Sequence, residues 1–309
     1  MALPQGGMIS QGSEQRELQE GIQAIVDEFK AYPKQYEQVY QVIKSKKAYE
    51  VDVIKSSLGQ MQLKPETQPI AYDSYAEVGE YKYVPNVFAL GVIVSMEAFR
   101  DNLYMDVGTK NAYNLTRSEL VTRETLGAQL FDFGYGTTKF TAWDGLSLFN
   151  TAHLVGKGGT FSNQLSTPAT LNQTAIESAI IGIANFVDTG GNRMMAKAKK
   201  LAIPVSQQFA AERILGSFLQ SDNANNSINA LQSLGVFTEG RVILNYLNNQ
   251  TNWFITTDVM DGLKWIDRDE GEGQDNDFGT SDYRYKRWFR SANGCSDVRG
   301  VYGSGNAGS

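Results

Sequence analysis

Histidine and cysteine are almost absent from this 309-residue chain, which has one of each, His153 and Cys295. A lone cysteine excludes an intrachain disulfide and a structural zinc site built on several thiolates. It fits a reducing compartment. A lone histidine means that any Ser–His–Asp or Cys–His arrangement would have to use His153, which lies beside Thr151 and far in sequence from Cys295. No Gly-x-Ser-x-Gly nucleophile elbow is present. Long apolar runs are missing too: no window approaches 18 unbroken apolar residues, and no basic, apolar leader follows Met1. The expectation is a soluble, cytosolic product with no membrane partner. Positive charge is not in excess, since the net charge is −6. That argues against a protein that coats nucleic acid by neutralising phosphates.

What is present is ordinary for a folded protein, with 41% apolar and 20% charged residues. A chain of this length buries roughly 75% of its unfolded surface. Residues 1–13 are rich in Gly, Ser and Gln. After them Leu18, Ile22, Ile25, Val26 and Phe29 form one stripe of an amphipathic helix that Pro33 ends. The stripe faces either its own domain or a neighbouring subunit.

From Lys46 the apolar period changes to two. Tyr49, Val51 and Val53 alternate with Glu50, Asp52 and Lys55, and Tyr81 and Tyr83 alternate with Glu80 and Lys82. About twenty residues with almost no apolar run separate these strands, and a loop of that length is functional or disordered. Two strands with a long tip read as an extended β-arm, which is marginal alone in water. Tyr32, Tyr36, Tyr40, Tyr49, Tyr72, Tyr75, Tyr81 and Tyr83 all lie in the N-terminal segment and this β-arm and suggest a contact surface.

Asn86–Ser95 reads as a buried strand, and Ser95 is placed to cap a long helix from Met96 toward Gly134, with Gly108 and Asn111 as weak points. A turn-rich stretch follows. Thr174 and Glu177 then form a capping box for a helix carrying Ile176, Ile180, Ile183 and Val187. A third helix after Pro204, two strands at 241–247 and 253–257, and a strand at 283–289 complete the pattern. Helices and strands mix without a βαβ rhythm, so the class is α+β.

Two features resemble ligand sites and fail their own tests. Gly156–Thr160 lacks the spacing and preceding strand of a phosphate loop. The acidic run Asp267, Asp269, Glu270, Glu272, Asp275, Asp277 and Asp282 has Gly271 where an EF-hand needs a ligand, so it reads as a solvated acidic loop. Its charges complement Lys44, Lys46, Lys47, Lys55 and Lys64, within one chain or between chains.

Trp143–His153 (WDGLSLFNTAH) and Asp275–Ser304 (DNDFGTSDYRYKRWFRSANGCSDVRGVYGS) resemble the Mu-like major head subunit family, capsid proteins of tailed bacteriophages with the HK97 fold. LAIPVSQQFAAERIL (201–215) and NWFITTD (252–258) are similar to that family's axial-domain segments. The likeness covers nearly the whole chain in order. It implies an N-terminal arm at 1–45, an E-loop at 46–86, and a peripheral domain at 87–190 with a spine helix at 96–133. An axial domain at 191–262 and a peripheral return with C-terminal tail at 263–309 complete it.

The resemblance implies hexamers and pentamers that close an icosahedral shell around double-stranded DNA, held without sequence-specific binding. Subunit contacts would come from Leu18, Ile22, Ile25, Val26 and Phe29 on the N-arm, and from Lys46, Lys47, Tyr49, Lys55, Lys64, Tyr81 and Tyr83 on the E-loop. Asp267, Asp269, Glu270, Glu272, Asp275 and Asp277 would form the acidic partner loop. No cofactor, metal or catalytic residue is implied. A portal protein, a separate scaffolding protein and a decoration or cement protein are the expected partners, with assembly in the host cytoplasm and the virion as destination. The Lys–Asn–Glu cross-link of some relatives has no match. The other readings are an encapsulin-like compartment of the same fold, an enzyme centred on His153, and a tail or baseplate component.

Overall fold

The computed structural model describes residues 32–97, 104–155, 159–219, 228–276, 279 and 282–305. The N-arm stripe Leu18, Ile22, Ile25, Val26 and Phe29, and Asp277, lie outside them. The described residues carry both helices and several small sheets, the mixed α+β class expected.

The chain divides into two compact units. Of the described residues, one holds 32–34, 86–97, 104–123, 268–276, 279 and 282–290, and the other holds 35–85, 124–155, 159–219, 228–267 and 291–305. The helix α1 (Tyr104–Asp132) and the strands β10 (Leu263–Asn276) and β11 (Tyr283–Cys295) contribute residues to both.

In the second unit the core is a sheet in which β9 (Trp253–Thr257) is central. It pairs antiparallel with β12 (Val301–Ser304) and with β7 (Ala198–Pro204), and β7 pairs parallel with β8 (Arg241–Leu244). All five residues of β9 are buried, as two-sided cover requires of a central strand. Phe254 sits among Phe131, Phe149 and Tyr135, with ring centroids 4.8, 5.2 and 6.4 Å away. The helix α2 (Gln173–Ala184) buries Ala175, Ile176, Ala179 and Ile183. Its cap is Asn172, whose side chain accepts the Ala175 N–H at 2.8 Å. The expected box at Thr174 and Glu177 is therefore displaced by two residues: Glu177 instead accepts from the Gln173 side chain. Asp132, at the end of α1, accepts backbone N–H groups of Asn248 and Asn249 at 3.1 to 3.2 Å.

Here the tyrosine cluster divides. Tyr36, Tyr40 and Tyr83 are buried. Tyr36 packs on Trp265 with ring centroids 4.4 Å apart, and the Tyr40 hydroxyl donates to the Gly127 carbonyl at 2.7 Å. The rings of Tyr36 and Tyr40 belong to this chain's own core. The short strand β1 (Gln41–Lys44) runs parallel to Lys264–Asp267 of β10.

In the first unit β10, β11 and β4 (Asn86–Val94) lie side by side in that order. The acidic run is not a loop: Asp267, Asp269, Glu270, Glu272 and Asp275 all belong to β10. Glycines alternate with the acids because long β11 side chains lie flat on them. A Cβ on Gly271 would come 2.8 Å from the Trp288 ring, and one on Gly273 would come 2.9 Å from Lys286 Cε. The opposite face carries a charged network. Arg123 Nη2 donates to Glu270 at 2.9 Å and its Nε to Glu119 at 3.0 Å, while Glu119 also accepts from Arg287 Nε. Arg287 reaches Glu272 at 3.6 Å, and Tyr285 donates to the same carboxylate at 2.7 Å. Arginines of the same unit answer Asp269, Glu270 and Glu272, while Asp267 accepts from the Trp265 indole N–H at 2.9 Å.

The strand Asn86–Val94 forms as expected, but most of it is exposed. Its physical situation is that of an edge strand, with β11 on one side and no further strand among the described residues on the other.

Candidate interaction surface

The strands β2 (Glu50–Lys55) and β3 (Glu77–Tyr83) pair antiparallel from Glu50↔Tyr83 to Lys55↔Glu77. One end of this arm is tied into the second unit by buried chemistry. Asp52 Oδ2 accepts from Lys264 Nζ at 2.7 Å and also meets Ser296 Oγ, which lies 2.6 Å from the Tyr83 hydroxyl. Lys264 also reaches Asp261 at 2.7 Å. Burial alone would lower the Lys264 ammonium, but the bonds to Asp261 and Asp52 outweigh it and hold it above the ordinary lysine range. Tyr81 stacks edgewise on Tyr83, and its hydroxyl lies 2.5 Å from where a Cβ on Gly294 would stand. Burial pushes the Tyr81 phenol up to about 12. At residue 79 a side chain would run into Trp143, 2.7 Å away.

Beyond the paired strands the ties thin out. Ser57 N–H donates to Thr189 Oγ1 at 2.7 Å, and Asn192 Nδ2 donates to the Leu58 carbonyl at 3.4 Å. Asp188 organises that seat by accepting the Gly190 and Asn192 N–H groups at 2.8 Å. Burial raises its carboxyl, and these bonds more than offset the effect, leaving it below the usual carboxylate range. Thr189 and Asn192 carry no sequence signal for this role, because their partners lie more than 130 residues away. Gly59 N–H donates to Asp73 at 2.8 Å and closes the loop neck. The tip then projects Met61, Leu63 and Tyr72 with fractional exposures of 103%, 94% and 88%.

Of the residues expected at a contact surface, Lys46, Lys47, Tyr49, Lys55 and Lys64 are exposed. Lys47 pairs with Glu50 at 3.0 Å, while Lys46, Lys55 and Lys64 make no ion pair among the described residues. Tyr81 is half-buried and Tyr83 is buried at the arm's root. The structure thus joins Tyr81 and Tyr83 to the anchor and leaves the lysines and Tyr49 on the outside. A second apolar surface was read as core in the sequence: Val87 and Ile93 of β4 are 59% and 61% exposed.

His153 is neither in a turn nor at the surface. It opens the strand β5 (His153–Val155), paired with β6 (Gly159–Phe161), and is fully buried. Its Nδ1 lies 2.8 Å from Asp144 and its Nε2 lies 3.2 Å from the Leu148 carbonyl. Neither nitrogen faces a hydroxyl or thiol, so the ring has no nucleophile to activate. No group of His, Cys, Asp and Glu among the described residues could hold a metal ion, and no described helix is long and apolar enough to cross a membrane.

The sequence matches no protein-family description and no curated protein. Solved structures do match in fold. The virus-like particle from Pyrococcus furiosus aligns with a TM-score of 0.52 at 8% identity, over 94% of this chain and 98% of that one. The capsid of an empty GTA particle aligns with a TM-score of 0.56 at 11% identity, over 89% and 90%. The procapsid of bacteriophage JBD30 aligns with a TM-score of 0.51 at 14% identity, over 96% and 76%. The mixed α+β fold of this chain is the fold of these capsid proteins.

Proposed function

We propose that this chain is a major capsid protein of a tailed bacteriophage, of the Mu-like head subunit type, that self-assembles as hexamers and pentamers into an icosahedral shell around double-stranded DNA. The observation that carries the reading is the β2–β3 arm, anchored at its root and bare at its tip, on a capsid-protein fold. Fully burying a large apolar side chain contributes about 1.5–3 kcal/mol. Met61, Leu63 and Tyr72 can gain that only from a surface outside the arm. Many weak contacts per subunit then sum to a stable closed shell.

In this reading 46–86 is the E-loop, 1–45 the N-terminal arm and the helix Tyr104–Asp132 the body of the spine. Residues 87–190 and 263–309 form the peripheral domain, and 191–262 form the axial domain. The exposed lysines Lys46, Lys55 and Lys64 and the N-arm stripe meet neighbouring copies. The protein acts as a structural component of the virion and not as an enzyme. It assembles in the host cytoplasm with a portal, a separate scaffolding protein and a decoration protein as partners. The alternative is an encapsulin-like compartment that holds protein cargo. It is favoured by the likeness to a virus-like particle over 94% of the chain.

Size-exclusion chromatography followed by electron microscopy of the expressed protein tests both. Icosahedral shells, or rings of five and six, support the capsid reading, and protein cargo instead of nucleic acid inside them selects the compartment. A clean monomer even with a scaffolding protein present overturns both. Deleting Gly59–Gln68 is expected to leave a folded subunit that fails to assemble; normal shells from that variant would remove the arm from the contact surface.

A further inference from the structure

The histidine is held between two oxygens that only accept. Asp144 Oδ2 faces Nδ1 at 2.8 Å and the Leu148 carbonyl faces Nε2 at 3.2 Å. A neutral imidazole has one N–H and one lone pair, and the imidazolium alone donates from both nitrogens. Either neutral tautomer would therefore aim a lone pair at a buried oxygen, an arrangement that costs free energy in a low-dielectric site. Neither oxygen is free to supply a proton of its own. The Leu148 carbonyl already accepts from Asn163 Nδ2 at 2.7 Å. Asp144 accepts the Leu146 N–H on Oδ1 at 3.1 Å and the Leu154 N–H on Oδ2 at 3.4 Å, so both its oxygens act as acceptors. The side chains of His153 and Asp144 are both inaccessible to solvent.

We propose that His153 is held as an imidazolium clamped between Asp144 and the Leu148 carbonyl, and that loss of its proton unlocks residues 143–155 and the paired strand β6. The other charges that face it come through Phe161, whose ring lies 5.4 Å from the imidazole and 4.9 Å from the Arg299 guanidinium. Arg299 opposes a second cation there, and its charge is answered by Asp297 at 3.1 Å. Phe186, Asn163 and β6 add no charge among the described residues. The direct carboxylate contact therefore dominates. The clamp matters for the fold because the same carbonyl and the Asn163 amide hold the turn against Val298.

One histidine gives one pair of ring resonances, so 15N NMR of histidine-labelled full-length protein reads the state without assignment. The expected result is two protonated ring nitrogens at about pH 7 that change together when the ring loses its proton. Amide protection over residues 144–155 and 159–163 is expected to fall together with loss of the ring proton. A neutral tautomer at about pH 7, with one unprotonated nitrogen, overturns the proposal, as does titration that leaves amide protection unchanged. Asp144→Asn is expected to shift the ring to a neutral tautomer at the same pH; if that variant does not fold, the wild-type spectrum alone decides. The inference stands on the clamp geometry and is independent of the shell.

Discussion

The strand β9 reads Trp-Phe-Ile-Thr-Thr and β4 reads Asn-Val-Phe-Ala-Leu-Gly-Val-Ile-Val, two uncharged stretches that sequence patterning treats alike. In the structure β9 is buried at every position, between β12 and β7, with aromatic rings packed on Phe254. By contrast, β4 lies at the edge of its sheet with Val87, Leu90 and Ile93 exposed. The hydrophobic effect that drives both is the same per unit area. The difference lies in what the rest of the chain supplies as cover. A native edge strand is normally blunted by charge or proline, and β4 has neither. Its apolar face is thus the kind of surface that a partner covers, as the bare arm tip is.

The sharpest test of this contrast is to cut into each strand. Phe254→Ala is expected to lower unfolding free energy by about 3–5 kcal/mol, measured by denaturant titration, because a buried ring leaves a cavity among Phe131 and Phe149. A loss below about 1 kcal/mol would mean the β9 core repacks freely. Lys264→Met, at the root of the arm, should cost about 1–3 kcal/mol, since Asp52 loses its main hydrogen-bond partner. Hydrogen exchange in β2 should rise with it; unchanged exchange would show that Tyr81 and Tyr83 hold the arm without the ion pair.

Acid should act next. Burial raises the Asp144 carboxyl, but the bonds from His153, Leu146 and Leu154 outweigh it and hold it below the usual carboxylate range. A depressed folded value means that its contribution is present at neutral pH and is lost as pH falls through that value. The wild type is thus expected to lose stability below the usual carboxylate range, and Asp144→Asn to lose less over the same interval; equal acid slopes would detach Asp144 from that loss. The smallest stability change is expected at β4, where Val87→Ser and Ile93→Ser should stay within about 0.5 kcal/mol. Association of copies should nevertheless weaken, and unchanged association would assign that face to solvent.

Local pattern carried a good part of the reading. Alternation around Tyr49–Lys55 and Tyr81–Tyr83 located both arm strands, and Arg241, Trp253 and Pro204 each marked a real boundary. Two local readings failed for identifiable reasons. Asn172 outcompeted Thr174 as a cap because it precedes the first helical turn and already satisfies the Ala175 N–H. The acidic stretch around Gly271 reads as a solvated loop but is part of β10, because the Trp288 side chain that rests on that glycine comes from another strand.

By itself, then, the sequence determined the two arm strands, β4, β9 and the two longest helices, the α+β class, the single cysteine and histidine, and the long loop between two strands, while β7 went unread and β10 read as a loop. Those follow from backbone preference and periodicity over a few residues. Only the tertiary structure decided that Tyr36, Tyr40 and Tyr83 are core while Tyr49 and Tyr72 are not. It also decided that arginines of the same unit answer Glu270 and Glu272 of β10, and that His153 lies against Asp144. Burial and ion pairing depend on residues brought together from far along the chain, and a local pattern contains no information about which of them will arrive.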